Sequence, residues 1–309
     1  MSEVLYGRSR CLGLAAGCPL ATALPALVLV SMVHGQPAAA SDKPAGSAVG
    51  LPSVESKAAR NVPYLSMGIA MVRPEGARFV DGDDSGQAAL YGSENLFDAG
   101  AFDTRVQFHL AAGIRFRPGL RMQLEVGPPR AFDWRGNTNY RNGGKHQPSE
   151  ATLDSWQLVL AGLYDLPGWT LNSGGTARPY LGAGAGVAVY RASSYIQRFP
   201  DPDDPTGYLR RGPEDEIPFT ALPDGTGRLF TWTLTAGVAV PVREGVHLDL
   251  SYRYTDMGKI ETDAADVTIV RYRADGIRRE IRVPINATAV DHRTHTLAMS
   301  LRFDLHGRR

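Results

Sequence analysis

The stretch HRTHTLAMSLRFDL, residues 292–305, alternates apolar and polar residues almost without a break. One face carries Leu297, Met299, Leu301, Phe303 and Leu305, and the other carries Thr296, Ala298, Ser300, Arg302 and Asp304. Successive side chains of a β-strand point to opposite faces, so this period of two predicts a strand between an apolar and a polar environment. A helix could not sort the residues in this way.

The same pattern recurs along most of the chain. Eight alternating segments follow residue 62, at 63–73, 104–117, 119–128, 153–166, 178–192, 229–243, 245–257 and 293–305. Each is long enough to cross a bilayer, because a tilted strand needs roughly 9 to 11 residues. Aromatic residues near the predicted strand ends suggest two interfacial girdles. One girdle would contain Tyr64, Phe116, Tyr164, Trp169, Tyr180 and Phe303, and the other Trp156, Tyr190, Phe230, Trp232 and Tyr254.

The connections between these segments alternate in length. Pro118-Gly119 and Glu244-Gly245 predict tight hairpins, and residues 167–177 form a third, modest turn. The other four connections are long and polar, at 74–103, 129–152, 193–228 and 258–292. Short turns at one end and long loops at the other are the layout of a bacterial outer-membrane barrel, with the short turns in the periplasm.

Residues 1–40 predict a cleaved secretory signal peptide. Arg8 and Arg10 precede a mostly apolar stretch, and small residues follow at 38–40. We expect cleavage after Ala40, with Gly35 as a second possible site. A membrane-anchoring helix is the competing interpretation, but two prolines interrupt the apolar run.

The rest of the chain divides around the alternating region. Residues 41–61 lack periodicity and predict a flexible periplasmic segment, residues 62–305 the barrel, and residues 306–309 a short tail. Both cysteines, Cys11 and Cys18, lie in the leader. Cleavage would therefore remove any disulfide, zinc-thiolate site or cysteine nucleophile. Lipidation of Cys18 is disfavoured because the apolar run continues beyond it.

Composition excludes several other classes of protein. A formal net charge of +1 argues against nucleic-acid binding by bulk charge. A content of 43% hydrophobic residues argues against a solvated disordered chain. The mean hydropathy is slightly polar, which a helical membrane protein would not show but a half-polar barrel can.

Three motifs and the closing strand carry a family resemblance. The motifs are RPYLGAGAG at 178–186, AGVAVPV at 236–242 and LDLSYRYTDMG at 248–258. With them, residues 63–305 resemble the OmpA-like and opacity-protein group of small outer-membrane β-barrels. The resemblance implies an eight-stranded barrel that the outer-membrane assembly machinery recognises by its last strand. Members usually end on an aromatic residue, whereas here six residues follow Phe303, which still has the expected parity.

Strand parity predicts that a set of side chains of both charges faces the lumen. The set comprises His109, Arg115, Arg121, Gln123, Glu125, Gln157, Asp165, Asp249, Arg253, Arg302 and Asp304. Eight strands enclose a lumen that side chains can fill, so a solute channel is disfavoured. Isolated buried charges are unfavourable, so we predict a polar network of Glu125, Asp249, Arg253 and Arg302. A gated proton or ion path is the alternative to this structural role.

No catalytic site, metal site or cofactor is predicted. His292, Thr294 and His295 begin the last segment at the outer rim, where a lipid-modifying site would face lipid. No serine follows at a suitable spacing, and a nucleophile needs an adjacent, oriented base. Asp201, Asp203 and Asp204 lack the glycine and the spacing of a calcium loop, so we interpret them as a solvated acidic loop.

The fourth long connection contains a β-hairpin signal. Residues 267–273 and 277–283 alternate around Ala274-Asp275-Gly276. This hairpin would carry Arg271, Arg273, Arg278, Arg279 and Arg282. These arginines could contact lipopolysaccharide phosphates, the acidic third loop or an anionic host surface. An ordinary solvated charged face is the alternative.

The sequence therefore predicts a non-enzymatic outer-membrane barrel that supports envelope integrity and presents loops for contact or adhesion. Its expected partners are outer-membrane lipid, lipopolysaccharide, the assembly machinery and host or cell-surface ligands, with no nucleic acid. A narrow transport barrel for small or apolar solutes is the first alternative. A lipid A-modifying barrel enzyme is the second.

Overall fold

The computed structural model describes residues 61–82, 98–117, 119–138, 147–171, 175–200 and 210–305. They belong to one compact unit, Glu55–Arg309. The predicted signal peptide, the segment 41–61 apart from Asn61, the tail and Asp201, Asp203 and Asp204 lie outside them. No helix in the described ranges is long and apolar enough to cross a membrane.

The described residues form fourteen strands and one short 3-10 turn, Pro213–Asp215. The strands are β1 (Val62–Pro74), β2 (Gly76–Asp81), β3 (Asp98–Phe102), β4 (Arg105–Arg117), β5 (Leu120–Thr138), β6 (Pro148–Asp165), β7 (Trp169–Thr170), β8 (Thr176–Arg198), β9 (Phe219–Ala221), β10 (Gly225–Arg243), β11 (Val246–Glu261), β12 (Asp266–Tyr272), β13 (Arg278–Pro284) and β14 (Thr288–Asp304).

Eight of these strands pair antiparallel in a closed ring. Its order is β1, β4, β5, β6, β8, β10, β11, β14 and back to β1. The first and last strands meet along the whole of β1, from Tyr64 opposite Asp304 to Pro74 opposite Thr294. The predicted all-β, eight-stranded antiparallel barrel is confirmed.

Large apolar side chains cover the outside of the ring. On β14, Leu297, Met299 and Leu301 are exposed, whereas Thr296, Ser300 and Arg302 between them are buried. β1, β4, β5, β6 and β11 show the same alternation. The apolar side chains thus form a belt for contact with lipid, and the polar side chains point into the lumen.

The connections at one end of the ring are short. Gly119 has a φ of +97° between β4 and β5, and Gly245 has a φ of +70° between β10 and β11. Both positions need the left-handed region, which glycine adopts without the steric penalty of a Cβ atom. The two-residue strand β7 pairs with the start of β8 in the third connection. We call this end the short-turn end.

The wall continues beyond the ring at the opposite, long-loop end. β2 and β3 form a hairpin that joins β14 to the extended part of β5. β9 joins the far end of β8 to β12, and β12 pairs with β13. The predicted hairpin in the fourth connection is thus confirmed, with its turn at Gly276, whose φ is +70°.

An apolar cluster fills this extension, which we call the loop-end core. It comprises Val72, Phe79, Phe102, Phe132, Trp134, Ala151, Leu153, Tyr190, Ala192, Tyr195, Leu222, Ile260, Val267, Ile285 and Val290. The rings of Phe79 and Phe102 lie 5.0 and 5.1 Å from the Trp134 ring in edge-on contacts. The barrel interior therefore changes from polar to apolar along its axis.

Several strands extend beyond the segments that the sequence predicts, and β5 extends furthest. The third segment was expected to end at residue 128, whereas β5 continues to Thr138. A register shift between Gly127 and Arg130 accommodates Pro128 and Pro129, and the alternation then resumes. A bulge tolerates proline because the extra residues leave the hydrogen-bond ladder.

The aromatic girdles also differ from the prediction. Tyr64, Tyr180 and Tyr190 are buried and face inward, because Leu65, Leu181 and Val189 beside them face outward. Tyr164, Trp169, Trp156, Phe230 and Trp232 are exposed, as a girdle requires.

Candidate functional site

The short-turn half of the lumen is filled by buried ion pairs. Arg253 Nη1 lies 2.5 Å from Glu125 Oε2, and Arg302 Nε lies 3.7 Å from Asp249 Oδ2. The four residues predicted as a network thus stand in two pairs, and each side chain is at most 11% exposed. The first pair joins β11 to β5, across the ring, whereas the second joins the neighbouring strands β14 and β11. Strand parity alone does not specify these partners.

A third buried pair was absent from the predicted network. Arg121 Nη2 lies 2.6 Å from Asp165 Oδ1, and the Arg121 guanidinium lies over the Tyr180 ring at 4.5 Å. At the short-turn mouth, Arg115 Nη2 lies 2.9 Å from Asp304 Oδ2. The sequence correctly predicts that these four charged side chains face inward. It does not predict their partners, because these depend on the stagger of the ring.

Neutral side chains link these charges. The Tyr64 hydroxyl donates to Gln123 Oε1 at 2.8 Å, and Gln123 Nε2 donates to Glu125 Oε1 at 2.6 Å. Two cavities beside these side chains, both lined by His109 and Arg253, have volumes of only about 10 Å³ each. Each has room for about one water molecule, so the side chains of the described residues fill most of the space around these two cavities.

The middle of the lumen holds a buried cation without a carboxylate partner among the described residues. Arg130 Nη1 donates to Gln107 Oε1 at 2.9 Å, and the guanidinium lies 5.3 Å from the Phe132 ring. His292 is buried nearby against the rings of Phe102 and Phe132. His292 and Thr294 therefore do not face lipid as the sequence suggested, because their parity is that of the inward-facing Thr296.

The five predicted contact arginines lie on the β12–β13 hairpin. Arg273, Arg278, Arg279 and Arg282 are exposed and Arg271 is half-buried. Arg278 pairs with Glu280, and Arg279 Nη2 lies 3.4 Å from Asp275 Oδ2. Val267, Val270 and Tyr272 on β12 are buried, so packing holds the hairpin in place.

A hydrogen-bonded chain of three side chains lies on the outside of the ring, at the long-loop edge of the apolar belt. The Tyr252 hydroxyl lies 2.6 Å from His295 Nδ1, and His295 Nε2 lies 2.9 Å from Glu75 Oε1. A carboxylate only accepts, so Nε2 donates to Glu75, and in the neutral imidazole Nδ1 accepts from Tyr252. We call Tyr252, His295 and Glu75 the relay.

The sequence singled out His295 but not its two partners. Glu75 follows β1, Tyr252 lies on β11, and His295 lies on β14. No spacing motif links residues so far apart. The pairing of β11 with β14 brings Tyr252 to His295, and the pairing of β1 with β14 brings Glu75 to them. Within the described ranges, no cluster of three or more His, Cys, Asp or Glu could hold a metal ion.

A family model described as the outer membrane protein beta-barrel domain matches residues 26–277 of the chain. The chain belongs to this family. This outer-membrane barrel protein resides in the bacterial outer membrane, with its short turns in the periplasm and its long loops outside. The apolar belt is accordingly its lipid-facing surface.

Comparison with curated protein sequences gives no match. Among solved structures, the barrel protein is similar to the Neisserial surface protein A, with 14% identity over 79% of this chain and 97% of that chain and a TM-score of 0.36. It is also similar to OprG from Pseudomonas aeruginosa, with 15% identity over 81% of this chain and 98% of that chain and a TM-score of 0.40. For Ail of Yersinia pestis, the identity is 11% over 78% of this chain and 98% of that chain, with a TM-score of 0.32.

Proposed function

We propose that this outer-membrane barrel is a closed anchor that presents a rigid extracellular β-structure for contact with anionic surfaces. The observation that carries the proposal is the filled interior. Ion pairs occupy the periplasmic half, and the loop-end core occupies the extracellular half. Two successive barriers favour an anchor over the alternative of a transport barrel.

The contact surface we propose is the β12–β13 hairpin. Residues 266–284 contain five arginines against three carboxylates, Asp266, Asp275 and Glu280. Guanidinium groups bind phosphate and sulfate through paired N–H donors. β9 pairs with β12 and ties the hairpin to the extended end of β8, so the backbone that carries the arginines is held in place.

Two measurements test this proposal. The wild-type protein in planar bilayers should show no porin-level conductance, and such conductance would support transport instead. Cells that express it should bind a dextran sulfate surface in a salt-sensitive way. The triple variant Arg278→Gln, Arg279→Gln and Arg282→Gln should bind less.

The matched control is the triple variant Arg135→Gln, Arg191→Gln and Arg228→Gln, which changes three exposed arginines on the barrel wall. It should bind as the wild type does. Equal binding by the triple variant and the wild type would reject the hairpin as the contact surface.

A further inference from the structure

The relay has the arrangement of an activated nucleophile. A hydroxyl, an imidazole and a carboxylate stand in series, with heavy-atom distances of 2.6 and 2.9 Å. The imidazole can take the hydroxyl proton, and the carboxylate fixes the imidazole's tautomer and orientation. The structure thus places an oriented base beside a hydroxyl, which no spacing in the sequence indicates.

The relay lies between the apolar belt and the charged rim of the barrel. On the membrane-facing side of it, Met71, Leu297 and Met299 belong to the apolar belt. On the outer side, Arg293 Nε lies 3.3 Å from Asp256 Oδ2, which marks the start of the charged rim. The relay therefore lies at the boundary where acyl chains meet polar headgroups.

Each end of the relay lines a different groove: Tyr252 lines one and Glu75 lines the other. An apolar groove of about 490 Å³ runs along the belt and is lined by Tyr252, together with Met71, Leu250 and Leu297. A second groove, of about 460 Å³, is lined by Glu75 and by the charged residues Arg78, Asp291 and Arg293. An apolar channel on one side and a charged one on the other match an amphiphile that has an acyl chain and a polar headgroup.

We propose that Tyr252, His295 and Glu75 hydrolyse acyl esters of outer-leaflet lipids, with the acyl chain in the apolar groove and the headgroup in the charged groove. The site is separate from the hairpin and does not depend on the contact role proposed above. The sequence predicts that the protein is not an enzyme, and this site argues against that prediction.

Water is the only further reactant that the reaction needs. The Tyr252 oxygen attacks the ester carbonyl carbon while its proton passes to His295 Nδ1, and the bond from that carbon to the alkoxy oxygen breaks. The leaving alkoxide takes the proton from His295. Water then attacks the acyl-tyrosine with His295 as base, and this releases a fatty acid and restores the phenol.

The test uses full-length protein refolded from inclusion bodies, so that no native lipase co-purifies. Mixed micelles of phosphatidylethanolamine and, separately, of purified lipid A distinguish the two sources of acyl ester. Free fatty acid is measured by mass spectrometry. We expect hydrolysis of at least one substrate, and a Tyr252→Phe rate lower by a factor of about 100 or more.

Two further variants and a trapping reagent keep the result interpretable. Glu75→Gln should also lower the rate, whereas Tyr164→Phe, which removes a phenol at the opposite end of the belt, should not. A long-chain alkyl fluorophosphonate should label Tyr252 in the wild type and not in the His295→Gln variant. Heat-modifiable mobility on gels confirms that each variant is folded.

Two outcomes would overturn the proposal. One is the absence of fatty acid release from both substrates by folded wild-type protein. The other is a Tyr252→Phe variant that is as active as the wild type, since that variant keeps the ring and loses only the hydroxyl.

Discussion

Arg253 and Glu125 illustrate how much a single buried charge matters in this lumen. Removing Arg253 leaves the Glu125 carboxylate, which is only 4% exposed, without its cation. We predict that Arg253→Ala lowers the free energy of unfolding by about 3 to 5 kcal/mol. Urea titration followed by tryptophan fluorescence measures it.

The hairpin supplies the matched control. Arg279 and Asp275 form an ion pair in which both side chains are about half exposed, so Arg279→Ala should lower the free energy of unfolding by at most about 1 kcal/mol. Losses of equal size at the two sites would contradict a buried pairing in the lumen.

Asp98 on β3 gives the extracellular end a pH dependence. Burial raises the pKa of the Asp98 carboxyl above its ordinary value of 3.8, and hydrogen bonds from Ser149, Tyr195 and Trp134 oppose this shift without cancelling it. A raised pKa means that the folded state binds the proton more tightly than the unfolded chain. The stability from Asp98 is therefore present below about pH 4 and is lost as the pH rises through the folded-state pKa.

We predict that Asp98→Asn becomes progressively more stable relative to the wild type as the pH rises from 4 to 8. The amide keeps the approximate shape but carries no charge to bury. Urea unfolding at several pH values measures this difference. Asp154→Asn, at an exposed position on β6, is the control for removing a carboxylate from the surface. A stability difference for Asp98→Asn that does not change with pH would refute the prediction.

At the level of the strand, the register decides which face meets lipid. Leu250 is exposed on the belt, opposite Met299 on β14. An arginine there lies near the bilayer midplane, so Leu250→Arg should lower the free energy of unfolding by about 2 to 4 kcal/mol. Val242 is exposed beside the periplasmic turn, where the same change should have an effect of about 0 to 1 kcal/mol.

Gel mobility with and without heating, followed by urea titration in lipid vesicles, compares the two variants. Equal tolerance at both positions would mean that β11 is displaced by one residue, because such a slip exchanges its two faces.

The eight strands were predictable because a period of two is a local signal. Leu297, Met299 and Leu301 show their common face without knowledge of any partner strand. The extension of β5 was not predictable, since Pro128 and Pro129 look like an end until the bulge opposite Gln157 and Ser155 is known. Inward parity identified Arg253 and Arg302, but the choice of partner depends on the stagger of the closed ring.

The relay was beyond the sequence for a related reason. His295 was visible beside the last strand, yet an imidazole alone indicates neither a nucleophile nor an orienting acid. The sequence gives Tyr252 only the parity of the apolar face of its strand, and it places Glu75 in the long polar connection 74–103. Only the side-chain geometry between β11, β14 and the residue after β1 joins them.

For the whole molecule, the two barriers in the lumen act in series. Arg253→Ala opens space only in the periplasmic half, so we predict that this change alone leaves conductance undetectable, as does Trp134→Ala in the loop-end core. The double variant should conduct ions measurably in planar bilayers. A double variant of Arg253→Ala with Leu234→Ala, whose second change lies on the lipid-facing surface, should remain silent. Conductance in the Arg253→Ala single variant would show that the loop-end core is not a seal.

The pairing of β1 with β14 also sets an order of events during biogenesis. Every other contact in the ring joins consecutive barrel strands, whereas Glu75 and His295 are 220 positions apart. Contacts so distant form slowly, because chain entropy opposes the closing of a long loop. A half-assembled chain would hold Tyr252 and His295 on neighbouring strands with no acid beside them. The chemistry proposed for the outer leaflet would therefore begin only after insertion is complete, and nascent protein in transit would be inert toward the membrane that receives it.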